Sequence, residues 1–274
     1  MKKQLKRFSA FGFILFYSII FQTLNLAQAD KMKLDSLKIA IQEKFNSTEG
    51  TFAIAFEDLS ADDNKLYINA HENFHAASTM KTPVMMEVFK QASMSKISLD
   101  DSILVENKFK SIVDSSEYSM SIGRDSGDGL YEYLGKNRTI LELTYSMITV
   151  SSNLATNILI DLVKAENVMK TLKEIGANDI KVLRGVEDMK AYDLGLNNTT
   201  TAADLALVLK TIEMKKFLRE DYCEKMLDIL KTQKFSDLIP KLLPKDIIVA
   251  HKTGLITGVR AHLKQTTNSM KLQS

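Results

Sequence analysis

Four short polar motifs, which follow one another in a single order, constrain the fold and chemistry of this 274-residue chain most strongly. They are Ser78-Thr79-Met80-Lys81, Ser151-Ser152-Asn153, Glu187 and His251-Lys252-Thr253-Gly254. Each is weak alone, because short patterns recur by chance, and Ser93 and Lys96 form a second Ser-x-x-Lys match. The ordered set is far rarer. It supplies a serine nucleophile, a lysine one helical turn away, a second hydroxyl, a carboxylate and a second cation, which an acyl-transfer enzyme needs.

Ser78 and Lys81 lie at the start of a predicted helix, where a spacing of three places both side chains on one face. A helix N-terminus favours developing negative charge, so the Ser78 N–H is a candidate oxyanion donor. Lys81 can act as a base only if burial or nearby cations lower its pKa. Taken alone, the tetrad is more typical of an N-cap serine on an amphipathic helix.

The other motifs complete the candidate site. Ser151 lies at a predicted helix break, where its hydroxyl can point into a cleft or can simply cap the next helix. Lys252 and Thr253 follow a predicted strand and can hold a carboxylate, while Gly254 lets a substrate approach the backbone closely. The four motifs together favour the functional interpretation of each.

A zinc site is the alternative that His71-Glu72-Asn73-Phe74-His75 raises, because it matches His-Glu-x-x-His. That pattern needs a helix to turn both histidines toward one metal. Here it falls between a predicted strand and the Ser78 helix, and His251 and His262 show no spacing typical of a third ligand. We therefore expect no metal and no cofactor.

The first 29 residues are typical of an export signal. Basic residues (Lys2, Lys3, Lys6 and Arg7) precede an apolar run over 11–21, and Ala27-Gln28-Ala29 is a small-x-small cleavage site. A membrane anchor is the alternative, but the apolar run is short for a span. We expect a periplasmic or secreted protein cleaved near Ala29, without a stable membrane anchor.

Charge and cysteine content narrow the partners. Removing the signal changes the net charge from +2 to about −2, which gives no reason to expect nucleic acid as a partner. The only cysteine, Cys223, excludes an internal disulfide, so an exported chain must rely on its core. No feature indicates an oligomer, and we expect a monomer.

The hydrophobic pattern predicts an α/β fold with two lobes. A helix over 33–45 and a hairpin of strands Thr51–Phe56 and Lys65–Ile68 precede helices that begin at Ser78. An irregular, polar segment over 111–138 follows. Further helices are predicted over 139–150, 153–163, 166–175, 202–217 and 222–232, before a strand over 247–250. We therefore predict an antiparallel sheet with a flanking N-terminal helix (30–75 and 211–274) and an inserted all-helical lobe (76–210).

With these motifs the chain resembles the class A serine β-lactamases and the related penicillin-binding, D-alanyl-D-alanine-cleaving enzymes, from about residue 33 to Arg260. Glu72–Phe74 precedes Ser78 as a similar segment does in the family. The stretch from Arg184-Gly185-Val186-Glu187 to Thr201 is similar to the loop that bears the family's deacylating glutamate and to the Thr-rich cap after it.

The resemblance implies a role for each motif residue. Ser78 would be acylated by the lactam or amide carbonyl, and Lys81, or Glu187 through a water, would take its proton. Ser151 would pass a proton to the leaving nitrogen, and Glu187 would activate the deacylating water. Substrate binding would fall to Asn153, Lys252, Thr253 and Gly254, with the Leu255 N–H as the second oxyanion donor.

The chain departs from the family pattern at several positions. Ser152 replaces a carboxylate that usually supports its loop, and Ala191 stands where an asparagine usually anchors the hydrolytic water. Asn197 or Asn198 is a candidate substitute for that asparagine. Leu255 is bulkier than the usual residue. After Gly254 the family has about two more strands and a helix, whereas here only 255–263 predicts a strand, so we expect a truncated and less stable C-terminal part.

Three functions follow, in order of preference. The first is a class A-type β-lactamase that acts on β-lactams. The second is a penicillin-binding or other acyl-transfer enzyme that is acylated but released slowly. The third is an inactive, truncated relative that keeps the scaffold alone.

Overall fold

A computed structural model of the chain describes residues 32–60, 64–256 and 259–267. The predicted signal, 1–29, and the end of the tail after 267 lie outside the described residues. Contacts divide the chain into two compact units, and the sequence boundary between them falls between Ala70 and His71. The predicted division into lobes (30–75 with 211–274, and 76–210) stays a prediction.

The first unit contains the predicted helix and hairpin. Helix α1 spans 32–46. Strands β1 (Ile54–Glu57) and β2 (Lys65–Ile68) pair antiparallel, with Ile54 opposite Ile68. Along β2, Leu66 and Ile68 are buried and Lys65 is exposed, which is the alternation expected of a half-buried strand. Phe45, near the end of α1, stacks on Phe52, with ring centroids 5.0 Å apart.

The second unit carries the remaining helices and all of the motif residues. Its α-helices are α2 (Lys81–Ser93), α3 (Ile140–Thr149), α4 (Asn153–Val163), α5 (Ala165–Glu174), α6 (Met189–Asp193), α7 (Ala202–Glu213) and α8 (Glu220–Lys231). Short 3-10 helices lie at Ala77–Met80, Ile122–Arg124, Asp128–Tyr133 and Ile239–Leu242. No described helix is long and apolar enough to cross a bilayer.

Helix α2 is the centre of the second unit. It packs against α3, α4, α5 and α8, and almost all of its residues are buried, as expected for a helix that other elements surround. Phe89 is fully buried and meets the Tyr222 ring of α8 edge to face, with centroids 5.8 Å apart. Because Lys81 is the first residue of α2, the central helix of the unit positions it.

Polar side chains define where the surrounding helices begin. Thr139 and Glu142 form a capping box at the start of α3. Thr201 caps α7 through the Asp204 N–H, in agreement with the predicted Thr-rich cap. Helix α7 ends at Glu213, earlier than predicted, because Lys215 adopts a left-handed backbone with φ of 55°.

The strands of the second unit pair antiparallel in short ladders. They are β3 (Phe74–His75) with β8 (Thr199–Thr200), β4 (Ser102–Leu104) with β7 (Asn137–Thr139), β5 (Phe109–Lys110) with β6 (Glu117–Tyr118), and β9 (Ile248–Ile256) with β10 (Val259–Thr267). Helix α8 packs against β9 and α7 against β10.

The last hairpin is longer than its sequence predicts. Strand β10 extends to Thr267, opposite Ile248, although 264–267 lack the alternation of a half-buried strand. The pairing with β9 explains the difference, since strand preference depends mainly on the neighbouring strand. The predicted irregular segment 111–138 contains only β6, the first residues of β7 and two 3-10 helices among its described elements.

We expect Phe89→Ala to lower the free energy of unfolding by about 3–5 kcal/mol, because it leaves a cavity at the centre of the helical core. Urea denaturation followed by circular dichroism measures this. Met94→Ala is the control, since Met94 follows α2 with 54% of its surface exposed and should change stability by less than about 0.5 kcal/mol. Equal effects of the two variants would contradict the central position of α2.

Candidate active site

The Ser78 turn lies between β3 and α2. Ala77 has a left-handed backbone with φ of 46°, and the 3-10 helix that starts there carries Ser78. The Ala76 N–H donates to the Asn198 carbonyl (2.9 Å) and the Thr79 hydroxyl to the Ala76 carbonyl (2.6 Å). Ser78 itself is half-buried, and its hydroxyl makes no hydrogen bond to the described residues. The turn is therefore held by its neighbours, while the Ser78 oxygen keeps its bonding capacity.

Lys81 is fully buried and all of its polar contacts come from the second motif. Its ammonium donates to the Ser151 carbonyl (2.6 Å), the Ser151 hydroxyl (3.2 Å) and the Asn153 Oδ1 (2.8 Å). Burial lowers the pKa of Lys81 to about 7, although the negative charge of Asp125 raises it in part. A substantial fraction of Lys81 is therefore neutral near pH 7 and can accept a proton.

Lys252 of β9 also bonds to the Ser151 hydroxyl. Its ammonium donates to the Ser151 Oγ (3.0 Å) and to the Thr253 carbonyl (2.8 Å). Lys252 is also fully buried, and burial, with the positive charge of Lys81, holds its pKa well below the usual value. Ser151 thus joins two buried lysines through one oxygen, which can carry a proton between them and a third group.

The shape of the α3–α4 connection makes this possible. Ser151 has φ of 59°, and Ser152 caps α4 by accepting the Ala155 N–H (3.2 Å). The turn is the helix break that the sequence predicts. Its left-handed residue directs both the carbonyl and the hydroxyl of Ser151 toward Lys81.

Strand β9 passes directly over the Ser78 turn. A Cβ atom at Gly254 would lie 3.2 Å from the Ser78 nitrogen and from the Ala77 Cβ, so only glycine allows this approach without a shift. Thr253 is half-buried, and 69% of the surface of Leu255 is exposed. Gly254 therefore lies against the Ser78 turn, with the buried Lys252 before it and the exposed Leu255 after it along β9.

Glu187 lies apart from this cluster. It has φ of 61° and its Oε2 accepts the Ser121 N–H (3.1 Å). Its Oε1 is buried and has no hydrogen-bond partner among the described residues. No direct hydrogen bond or ion pair joins Glu187 to Ser78, Lys81 or Ser151 in the described part of the chain. Hydrogen bonds therefore join Lys81, the Ser151–Asn153 motif and Lys252 directly, whereas Glu187 is not bonded to them.

Asn157 of α4 holds the loop that carries Glu187. Its Oδ1 accepts the Val186 N–H (2.6 Å), and its amide donates to the Val186 carbonyl (3.0 Å) and to the Tyr118 hydroxyl (3.2 Å). A Cβ atom at Gly185 would lie 2.5 Å from the Asn157 Oδ1, so glycine is required for this clamp. The sequence analysis missed Asn157, because one buried amide within an amphipathic helix carries no recognisable pattern.

The irregular segment 111–138 is a second support for that loop. The Ser111 hydroxyl (2.8 Å) and the Ile112 N–H (2.9 Å) both donate to the carboxylate of Asp188, which is buried and caps α6. Lys190 bonds to Asp114 (2.7 Å) on the surface. The segment is thus attached to Asp188, the residue that follows Glu187, and to Lys190.

Comparison with known proteins places these features in a family. A sequence model described as the β-lactamase enzyme family matches residues 36–263, which is most of the chain. The chain belongs to the β-lactamase enzyme family. The resemblance that the motifs indicate is therefore confirmed, and the mixed α/β architecture matches a serine β-lactamase-like fold. No curated protein sequence matches the chain.

Solved structures agree with this family. A β-lactamase from Sphaerobacter thermophilus is 25% identical with a TM-score of 0.70, and the match covers 84% of this chain and 82% of that one. A PBP-A mutant in an acyl-enzyme complex with penicillin G is 25% identical, with a TM-score of 0.64 and coverages of 81% and 78%. The extended-spectrum β-lactamase TLA-3 has a TM-score of 0.71 at 21% identity, covering 85% of each chain, and supports the fold alone.

Within this β-lactamase-family site, the asparagines near Ala191 have other partners. Ala191 is fully buried and its N–H donates to Asp188 (3.2 Å). The Asn198 side chain bonds to the backbone of Leu183 and Arg184, and the Asn197 Oδ1 accepts from the Arg184 guanidinium (3.0 Å). Both asparagines are therefore engaged in holding the loop.

The His71–His75 segment is not helical. It comprises a turn that leads into β3, and the His75 Nδ1 accepts the Ala77 N–H (3.0 Å). Burial and the nearby Arg184 charge lower the pKa of His75. This histidine therefore supports the Ser78 turn. No cluster of three or more metal-ligating side chains occurs among the residues that the structure describes.

We expect Asn157→Ala to release the Glu187 loop, because the Val186 N–H and carbonyl lose their shared partner. Hydrogen-exchange mass spectrometry should show at least about tenfold faster exchange over 184–188. Asn167→Ala is the matched control, since the Asn167 side chain makes one hydrogen bond among the described residues, to the Val163 carbonyl at the end of α4. Unchanged exchange over 184–188 in Asn157→Ala would contradict the clamp.

Proposed function

We propose that this chain is a serine β-lactamase of the class A type, which opens the β-lactam ring through an acyl-enzyme on Ser78 and releases it with the help of Glu187. The observation that carries the proposal is the Ser151 hydroxyl. It lies 3.2 Å from the Lys81 ammonium and 3.0 Å from that of Lys252, beside the turn that exposes Ser78. A network of this kind suits the transfer of a proton from a nucleophile to a leaving group.

In the acylation step, the Ser78 oxygen attacks the lactam carbonyl carbon and its proton moves to neutral Lys81, or to Glu187 through a water. The ring C–N bond then breaks, and the nitrogen receives a proton through the Ser151 hydroxyl. The low pKa of Lys81, about 7, supports it as the acceptor. The Ser78 and Leu255 N–H groups would stabilise the oxyanion.

Substrate binding falls to β9 beside the Ser78 turn and to Asn153. Lys252 and Thr253 would bind the substrate carboxylate, and Asn153, whose Oδ1 accepts from Lys81, would hold the acyl side chain with its amide. Gly254 would let the substrate lie against β9. No metal or cofactor is needed for this chemistry.

Deacylation depends on Glu187. Its buried Oε1 is an acceptor that receives no hydrogen bond from the described residues. It can therefore bind and activate a water that attacks the ester carbonyl. Export, with cleavage near Ala29 and a monomeric periplasmic or secreted product, completes the proposal.

A penicillin-binding or acyl-transfer function is the second candidate. Ala191 favours it, because this residue offers no side-chain amide to position the hydrolytic water and the nearby asparagines bond to the loop itself. The PBP-A mutant solved as a penicillin G acyl-enzyme shows that a similar fold can be captured in the acylated state.

We expect penicillin G to form a covalent adduct on Ser78, which intact-protein and peptide mass spectrometry will detect. Ser78→Ala should abolish the adduct, because the nucleophile is lost. The control is Ser93→Ala, which removes the second Ser-x-x-Lys match on the exposed end of α2 and should react like the wild type. An adduct that survives in Ser78→Ala would reject the nucleophile. No adduct in the wild type would favour the inactive relative.

Glu187→Gln separates the two candidate functions. If Glu187 activates the water, the variant should accumulate acyl-enzyme, and hydrolysis of penicillin G should fall by at least about 100-fold while acylation still occurs. Time-resolved mass spectrometry and product assays measure the two steps. The control is Glu132→Gln, which changes an exposed glutamate in the irregular segment 111–138. A long-lived adduct in the wild type that Glu187→Gln leaves unchanged would support the penicillin-binding function instead.

A further inference from the structure

A buried carboxylate outside the four motifs is bonded to the start of α4. Asp125 lies in the irregular segment and only 7% of its surface is exposed. Its Oδ1 accepts the N–H groups of Asn153 (2.8 Å) and Gly127 (2.8 Å). Its Oδ2 accepts the Leu154 N–H (2.8 Å) and, at longer range, the hydroxyls of Ser152 (3.4 Å) and Tyr131 (3.3 Å). Asp125 therefore contacts Ser152, Asn153 and Leu154 at once.

These bonds complete the N-terminus of α4. The first N–H groups of a helix have no partner within the helix. Here Asp125 accepts those of Asn153 and Leu154, and the Ser152 hydroxyl accepts that of Ala155. A negative charge at this end also interacts favourably with the helix dipole. Asp125 and Ser152 therefore divide a task that one capping aspartate usually performs.

The backbone of the irregular segment lies directly against Ser152. A Cβ atom at Gly127 would lie 2.5 Å from the Ser152 Cβ and 2.7 Å from its Cα. Ser152 is fully buried under this contact. The segment thus carries its carboxylate to the place where the Ser151-Ser152-Asn153 motif lacks the acid of the usual Ser-Asp-Asn.

We propose that Asp125 is a positioning residue. From the irregular segment of the same chain it supplies the carboxylate that the second motif lacks, and it thereby holds Ser151 and Asn153 against Lys81. The three acceptors of the Lys81 ammonium all belong to residues 151 and 153. Asp125 bonds to the backbone of Asn153 and to the hydroxyl of Ser152, between them. A loss of its carboxylate would displace every partner of Lys81 together.

Asp125 also acts on Lys81 through its charge. The charged groups that face the lysine pair are Asp125, which raises the pKa of Lys81, and the lysines themselves, since the charge of Lys81 lowers the pKa of Lys252. Neutralising Asp125 should lower the pKa of Lys81 further. Because neutral Lys81 is the proposed base, the rise of acylation rate with pH should then occur at lower pH.

The first test does not depend on catalysis. We expect Asp125→Asn to speed hydrogen exchange over 151–156 at least about tenfold. The oxygen of the new amide can accept the Asn153 N–H, but its NH₂ group faces the Leu154 N–H, so two donors meet and that hydrogen bond is lost. Asp128→Asn is the matched control, since Asp128 is exposed in the same segment. Exchange that is equal in Asp125→Asn, Asp128→Asn and the wild type would overturn the proposal.

A double variant keeps the proposal testable if Asp125→Asn does not fold. Asp125→Ser combined with Ser152→Asp returns the carboxylate to the motif itself, and we expect it to fold and to protect 151–156 as the wild type does. A folded Asp125→Ser single variant with wild-type protection would overturn the proposal. So would a double variant that is no better protected or folded than Asp125→Ser.

The second test concerns acylation and rests on the proposed function. With penicillin G, we expect Asp125→Asn to lower the maximal acylation rate at least about tenfold and to shift the pH midpoint downward, whereas Asp128→Asn leaves both unchanged. Wild-type acylation at every pH in Asp125→Asn would overturn the positioning role. Absence of an adduct in the wild type would instead reject the proposed function, and hydrogen exchange would still decide the role of Asp125.

Discussion

Burial of two lysines around one hydroxyl is the interaction on which the site depends. An unpaired buried charge is costly, so Lys81 and Lys252 require hydrogen-bond acceptors fixed at short range and a lowered pKa. Those acceptors come from the α3–α4 turn and from β9, while Lys81 itself begins α2. The three elements must therefore keep their mutual positions to within hydrogen-bond tolerance. The closeness of Gly254 to the Ser78 nitrogen has the same consequence, because it fixes β9 against the Ser78 turn.

The irregular segment 111–138 is the element that connects the two halves of this site. Asp125 attaches it to the start of α4, and Asp188 attaches its beginning, just after β5, to the loop after Glu187. Ser121, between these points, donates its N–H to Glu187. A change in the segment would therefore affect both the cluster of Lys81, Ser151 and Lys252 and the Glu187 carboxylate. The polar composition that predicts an irregular structure here also provides the side chains that attach it.

The sequence predicts most of the helices well because their signals are local. Apolar spacing predicts α4 to the residue, and Ser-x-x-Lys places Lys81 at the start of α2. The sequence does not predict the contacts of Asp125, Asn157 or Asp188. Each contact joins a side chain to backbone groups far along the chain, and no periodic pattern marks it. The extension of β10 to Thr267 likewise depends on its partner strand and not on its own residues.

The two chemical steps depend on different parts of the structure. The groups proposed for acylation are carried by α2, the α3–α4 turn and β9, and they contact one another directly. Glu187 instead lies on a loop held by Asn157 and Asp188, and its carboxylate meets the rest of the chain at Ser121. Substitutions such as Ala191 can therefore alter deacylation while the acylating cluster stays intact. This separation would let one of the two proposed steps change without the other.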